Sequence, residues 1–346
     1  MSDNRTGAAM LNFDEPRFLR IQSGAVALAQ PITAAVDALL DKGAANLFFL
    51  GTGGAGLLMQ PAFELLRRRS GFPAYLERPA ELVLTGHAAL GPQSIVVIPS
   101  LSGTTAESLA VAEVAKARGA AVIALTGHGD SPLAALADYA LVNFAEDDTS
   151  CESFYLQSLI LVLAVMRHRG EFAGFDAALA ELARLPALLL EIKRAFEPQA
   201  RGMAAFIAEG AGPIVTAAGA AWPQAHYYGM CILEEMQWIR TRPVHASDFF
   251  HGTLELVEPG VSLIVLKGED EARPLAERVE RFADGHTDRL LVLDAAAFAL
   301  PGISAEVRAL ISPVILATVL ERVSAHLEVM RDHPLTTRRY YRRVAY

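Results

Sequence analysis

The sequence predicts an α/β protein of two tandem doubly wound domains, each a parallel sheet flanked by helices. Three observations carry this reading. Short apolar runs alternate with helix-patterned segments along most of the chain. The runs are continuous rather than two-periodic, as in strands buried on both faces. The second half repeats the order of the first, with a similar interval from its glycine turn to the next strand. The chain has 346 residues, 52% of them hydrophobic and 20% charged, which is enough apolar material for two cores of ordinary size.

The elements follow in order. An N-terminal segment, residues 1–30, opens "MSDNRTGAAMLNFDEPRF" and lacks the apolar core of a signal peptide. The first domain, 31–170, starts with "NLFFL" (46–50), then glycines and the helical "LLMQPAFELLRRR". "SIVVIP" (94–99) runs through "SLSGTT" into the helix "AESLAVAEVAKARG", and "AAVIALTG" (120–127) precedes "SPLAALA" and "YALVNF". A helical connection, 171–200, leads to the second domain, 201–330. There "GPIVTAAG" (212–219) precedes a helix over 222–239 with Pro223 near its first position. "VSLIVLKGED" (261–270) precedes "EARPLAERVERFAD", and "RLLVLDA" (289–295) closes the unit. Residues 331–346 form a tail expected to close the site.

Composition narrows the function. A net charge of −9 is unsuited to broad nucleic-acid binding but leaves room for a small anionic substrate held by one loop. Cys151 and Cys231 are far apart and make no disulfide framework, which points to a reducing, cytoplasmic setting. The apolar run "SLILVLAVM" is too short to span a bilayer, so no membrane partner is expected.

Three loops compete as binding sites. "GTGGAG" (51–56) matches the dinucleotide fingerprint, with Glu77 where a ribose acid would lie, so a nicotinamide or flavin enzyme is one reading and a plain tight turn another. "SLSGTT" (100–105) sets three hydroxyls and a glycine at a helix start. Thr104 with Glu107 reads as a capping box, yet Ser100, Ser102 and Thr105 exceed what capping needs. Hydroxyls beside free N–H groups at a helix N-terminus suit a phosphate monoester, and without a following lysine the loop is not a nucleotide P-loop. In "DDTSCES" (147–153), Thr149, Ser150 and Glu152 are placed to close over the same ligand or to cap a helix. The second half has the acidic "KGEDEARP" where the first has "SLSGTT", so only the first half is expected to bind an anion.

The stretch "EEMQWIRTRPVHASDFFHG" (234–252) concentrates acid–base residues. By α-helical spacing Tyr228, Cys231 and Glu235 share one face, and Glu234 groups with Tyr227, Met230 and Trp238. His245, Asp248 and His251 lack the further histidine or cysteine pair that a metal site would need, and no metal is expected. His251, in a loop beside a glycine, suits proton transfer.

These motifs, with "TSCES" and the ending "HPLTTRRYYRRVAY", resemble the sugar isomerase (SIS) domain family across nearly the whole chain. The resemblance is greatest to fructoselysine-6-phosphate deglycases and related enzymes of 6-phosphorylated Amadori compounds. It implies that Glu235 and His251 are the catalytic pair, from their sixteen-residue spacing, and that Ser100, Ser102 and Thr105 hold the 6-phosphate with help from Thr52. Gly53, Gly103, Thr104, Ser150 and Glu152 belong to the same binding loops, and Arg339 is expected to meet a carboxylate or phosphate. Gly53 stands where relatives often have serine, and the last lysine is Lys267, so Schiff-base chemistry from the tail is not expected. The resemblance also implies a homodimer with shared active sites and no cofactor. Alternative readings are an aldose–ketose isomerase, an aminosugar-phosphate deaminase, or a non-catalytic sugar-phosphate sensor.

Overall fold

The computed structural model describes residues 9–145, 152–341 and 343–344. Helices α1 (Glu15–Ala27) and α2 (Ala29–Asp41) precede β1 (Asn46–Phe49). Then come α3 (Gly53–Arg69), β2 (Ala74–Leu76), α4 (Pro79–Thr85), β3 (Ser94–Ser100), α5 (Ala106–Ala117), β4 (Ala121–Thr126), α6 (Pro132–Leu136) and β5 (Tyr139–Val142). Helices α7 (Glu152–His168), α8 (Phe175–Leu182) and α9 (Leu185–Glu209) lead to β6 (Ile214–Ala217). Helix α10 (Trp222–Tyr227) continues as a π-helix, Tyr228–Met236. The chain ends with β7 (Arg242–His245), α11 (Ala246–Phe249), β8 (Leu263–Lys267), α12 (Arg273–Asp284), β9 (Leu290–Asp294) and α13 (Ala305–Met330).

Both sheets are parallel. The first has the order β2-β1-β3-β4-β5 and the second β7-β6-β8-β9. The halves are in near-constant register: β6 starts at 214 against 46 for β1 and β7 at 242 against 74 for β2, each 168 residues on. For β8 against β3 (263 and 94) and β9 against β4 (290 and 121) the offset is 169. The strand order is the flavodoxin-like 2-1-3-4-5, not the 3-2-1-4-5-6 of the dinucleotide fold that "GTGGAG" suggested, so the ligand crevice lies between the first and third strands. In the first half that crevice is walled by the loops after β1 and β3.

Alternating strand residues feed different cores, as a doubly covered sheet requires. Leu47, Phe49, Ile95 and Val97 of the first sheet and Ile264 and Leu266 of the second enter one central core. Phe48, Val96 and Ile98 face an outer core of the first half, and Leu263 and Val265 an outer core of the second. Helix α7 is buried along nearly its whole circumference. By length and composition α13 and the α1–α2 stretch could each cross a membrane; 83% of the apolar window of α13 is buried inside the protein, against 28% for α1–α2.

One ion pair sits inside the central helices. Glu152 and Lys193 are both fully buried, 3.4 Å apart, and Lys193 Nζ also reaches Glu321 at 2.7 Å and the Thr318 carbonyl at 3.1 Å. Glu152 accepts from Thr318 Oγ1 at 3.3 Å and Gln22 Nε2 at 3.5 Å. Desolvation pushes the Glu152 carboxyl above its ordinary range, against the pull of Lys193. The folded state therefore holds this proton more tightly than the unfolded chain, so its contribution to stability falls as pH rises past the ordinary carboxylate range. Lys193→Met leaves Glu152 without its cation. It is expected to cost about 3–5 kcal/mol at neutral pH in urea unfolding, with a smaller loss at acidic pH, where Glu152 takes up a proton. An equal loss at both pH values would contradict this account.

Candidate active site

The loop after β1 is shaped by three glycines. A side chain on Gly51 would strike the backbone of Gly56, so the turn closes only without one. Gly53 has φ +56°, in the left-handed region, with open space around it. Serine there would therefore be opposed by the backbone rather than by crowding. A Cβ on Gly54 would lie 2.7 Å from Tyr227 Cε2 and 3.1 Å from Cys231 Sγ, so the start of α3 presses directly on the α10–π-helix of the second half. Thr52 is the N-cap of α3 but its side chain makes no capping bond, and its Oγ1 is buried with no hydrogen-bond partner. An unmet buried hydroxyl at a helix N-terminus is costly unless a ligand meets it.

The loop after β3 gathers the hydroxyls that the sequence singled out. Ser100 is buried; its Oγ lies 3.3 Å from Thr105 Oγ1 and accepts from the Gly103 N–H at 3.2 Å. Gly103 has φ +62° and no room for a side chain beside Ser131. Ser102 Oγ accepts from Thr104 N at 3.3 Å and Thr104 Oγ1 at 2.9 Å. The expected capping box of Thr104 and Glu107 does not form. Thr105 is the N-cap of α5, with extended backbone and no side-chain cap bond, which puts Glu107 one position too early. Thr104 is exposed at the loop tip.

In the third loop, Thr149 and Ser150 lie outside the described residues. Glu152 begins α7, but its carboxylate turns into the central helices to meet Lys193, Thr318 and Gln22. That placement corrects the reading of Glu152 as a ligand contact: every partner recorded for it belongs to the protein interior.

The opposite wall is the π-helix. Its i→i+5 bonding shows in Gln237 N donating to Ile232 O at 3.0 Å, and it ends at Met236 rather than at 239 as expected. The widened turn changes the phase read from α-helical spacing. Tyr227 and Cys231, four apart, both face Gly54, and Glu235 follows at the next fourfold step. Tyr228, predicted on the Glu235 face, is instead fully buried. Glu234 is committed elsewhere, its Oε1 accepting from Thr241 Oγ1 at 2.6 Å and Thr241 N at 3.2 Å. Glu235 is about one-third exposed and pairs with Arg338 Nε at 3.0 Å.

The sequence does not single out Arg338; the arginine expected near the site is Arg339, as a contact for a carboxylate or phosphate. Arg339 stacks its guanidinium 4.1 Å over the Trp238 ring, while its neighbour Arg338 turns to Glu235. The tail is held by Gln237 Nε2 donating to the His333 carbonyl at 2.7 Å and Arg331 to the Gln237 carbonyl at 3.2 Å. No helical or strand periodicity marks so irregular a segment, and only the density of arginines in "TTRRYYRR" signals it.

The histidines separate. His245 ends β7, an edge strand, and its Nδ1 accepts from Ser247 N at 3.1 Å as the cap of α11. Burial lowers its pKa, against the pull of Asp248 and Glu64. His251 is exposed on the turn after α11. Asp248 holds that turn through its carbonyl, which accepts from the His251 N–H at 2.9 Å. No group of three or more histidine, cysteine or acidic side chains suits a metal among the described residues. Lys267 is engaged by Glu280 at 2.8 Å and Asp294 at 3.1 Å.

The second half answers the first with a carboxylate. Asp270 accepts from the Ala220 N–H at 2.5 Å and from the Ala272 N–H at 3.0 Å, filling the space beside Gly219. In the register of the two halves Ala220 corresponds to Thr52, and Asp270 falls at Leu101–Ser102. The protein's own anion thus occupies, in one half, the crevice that stands lined with hydroxyls in the other.

Comparison with known proteins agrees with this architecture. Residues 42–167 match the SIS domain. The fructosamine deglycase FrlB of Bacillus subtilis (strain 168) is 31% identical over 317 residues, covering 91% of this chain and 97% of that protein. The fructoselysine 6-phosphate deglycase of Escherichia coli (strain K12) is 27% identical, covering 90% and 89%. A solved structure from Bacillus subtilis, described as a candidate phosphosugar isomerase, superimposes with a TM-score of 0.83 at 30% identity over 92% of this chain and 100% of that one. The chain is an enzyme of the SIS-domain family, related over most of its length to fructosamine deglycases.

Proposed function

We propose that the protein is a deglycase acting on a 6-phosphorylated fructosyl-amine, releasing glucose 6-phosphate and a free amine or amino acid. The observation that carries this reading is the contrast at the two crevices. Asp270 satisfies the Ala220 N–H in the second half, whereas the first half offers the unpartnered Thr52 Oγ1 and the hydroxyls of Ser100, Ser102 and Thr105. A phosphate dianion on these groups and on the α3 and α5 N-termini replaces the missing carboxylate. Glu235 follows Cys231, which meets Gly54, by one turn of the same helix, and this supports taking it as the base that acts on a sugar held by that phosphate. The relatives' names point to the same substrate class.

In the proposed reaction, the Glu235 carboxylate removes a proton from C1 of the open-chain ketoamine, giving an enaminol. Return of a proton to C2 makes a C1 imine. Water adds to that imine, and the C1–N bond breaks to leave the aldehyde of glucose 6-phosphate and the amine. Arg338 pairs with Glu235 at 3.0 Å, and its guanidinium cannot itself supply an imine-forming nitrogen. The exposed His251 would move protons at the ring and C2 oxygens, from one chain of a homodimer into the site of the other. An isomerase or aminosugar-phosphate deaminase uses the same first step. Amine release from a panel of 6-phosphorylated Amadori compounds separates these readings, and a protein that interconverts ketose and aldose phosphates without releasing amine would overturn ours.

Two substitutions test the division of labour. Glu235→Gln should lower kcat by about 10²–10⁴-fold, the usual worth of a general base, while inorganic phosphate still binds by calorimetry. Ser102→Asp should give the first half a carboxylate like Asp270. It is expected to abolish phosphate binding and raise KM steeply with the fold intact by circular dichroism. Unchanged phosphate affinity in that variant would remove the crevice as the anion site.

A further inference from the structure

The same 168-residue register that relates the crevices also relates what faces them. As the π-helix faces the first-half crevice, α3 faces that of the second half, and the offset brings the Arg67–Arg69 end of α3 to the position of Glu235. Between α3, α7, α13 and the Asp270 loop lies a cavity of about 320 Å³, at the lower end of the range for small-molecule sites. Pro61 of α3 and Pro313 of α13 both line it, and each stands inside its helix, where proline deletes a backbone hydrogen bond and bends the helix.

The lining is of two kinds. Leu65, Leu159, Leu310 and Val314 make an apolar floor, while Arg68, Asp270 and Glu271 stand among its polar groups. Arg69 is spoken for by Glu271 at 3.0 Å and Glu306 at 3.5 Å. Arg68 donates its Nε to the Glu64 carbonyl at 3.2 Å, and its charge acts on nearby Glu271. Asp270 uses its carboxylate on two backbone N–H groups but has acceptor capacity left, since a carboxylate offers about four lone-pair sites. A phosphate is repelled here by Asp270. A ligand bearing both charges on neighbouring atoms, with an apolar remainder, complements Arg68, Asp270 and the apolar floor together.

We propose that this cavity is a second small-molecule site, which takes an α-amino acid with an apolar side chain. Its carboxylate lies on Arg68, its ammonium faces Asp270 and Glu271, and its side chain rests on the leucine and valine floor. The site is separate from the proposed reaction centre, and its existence does not depend on the deglycase reading.

Calorimetric titration of the full chain with L-leucine and L-phenylalanine tests it. Saturable binding is expected with either, additive with inorganic phosphate and retained in Ser102→Asp. N-acetyl-leucine, which lacks the cation, and 3-methylbutylamine, which lacks the carboxylate, should bind at least about tenfold more weakly, as loss of a charge-assisted contact implies. Arg68→Ala, a surface change, should weaken leucine to a similar degree and leave phosphate binding untouched. Leu310→Trp should fill the floor and remove leucine binding. The proposal is overturned by the absence of saturable heat at millimolar amino acid, by equal binding of the two analogues, by competition with phosphate, or by unaltered affinity in Arg68→Ala.

Discussion

The contact of Gly54 with Tyr227 and Cys231 is the constraint on which the rest of the site depends. Any side chain at position 54 would overlap the Tyr227 ring, so the two halves approach at that point only because the residue is glycine. The approach sets the start of α3, with its unmet Thr52 hydroxyl, against the helix that carries Glu235. The glycine and hydroxyl loops of one sheet and the π-helix of the other half are thereby fixed to one another by close packing, which yields little in protein interiors. The buried pair of Glu152 and Lys193, with Thr318 and Glu321, ties α7, α9 and α13 together behind that contact. Such a pair is weak evidence for stability in itself, but its hydrogen bonds specify one arrangement of the three helices.

Two halves with one topology differ in single residues at matching places. Where the first half has Thr52 and the "SLSGTT" hydroxyls, the second has Ala220 and Asp270. Where the second carries Glu235 on a π-helix, the first carries Arg67–Arg69 on a helix with an interior proline. Each crevice sits at a topological switch point, so the fold offers two ligand positions and the side chains decide what each accepts.

The parts legible in the sequence were those whose residues are buried on both sides. "NLFFL" and "SIVVIP" read as strands and are strands, because β1 and β3 feed two cores and so carry unbroken apolar runs. "RPVH" did not read as a strand. It is four residues long, contains Pro243, and lies at the edge of its sheet, where neither face nor both ladders demand apolar or donor residues. Helix α13 gives little periodic signal because it is buried around most of its surface. The face on which Glu235 lies was not legible from α-helical spacing. The π-turn shifts the phase by a residue, so Tyr227 rather than Tyr228 points at the first half. Arg338 and Arg339 are adjacent and chemically identical, and only the path of the tail assigns one to Glu235 and the other to Trp238.

That path is itself coupled to the helix it touches. Trp238 has φ +55°, a conformation that costs an aromatic residue about 1–2 kcal/mol. It is held there between His333, whose ring is 4.4 Å away, and the guanidinium of Arg339 at 4.1 Å. Both partners belong to the tail, and so does Arg338. The packing that maintains the left-handed turn after the π-helix is thus the packing that brings a cation to Glu235. If the tail departed, Trp238 would lose both ring contacts and Glu235 its ion pair in the same movement. The strain at Trp238 favours release and the stacked contacts oppose it, so the end of the π-helix and the tail behave as one unit.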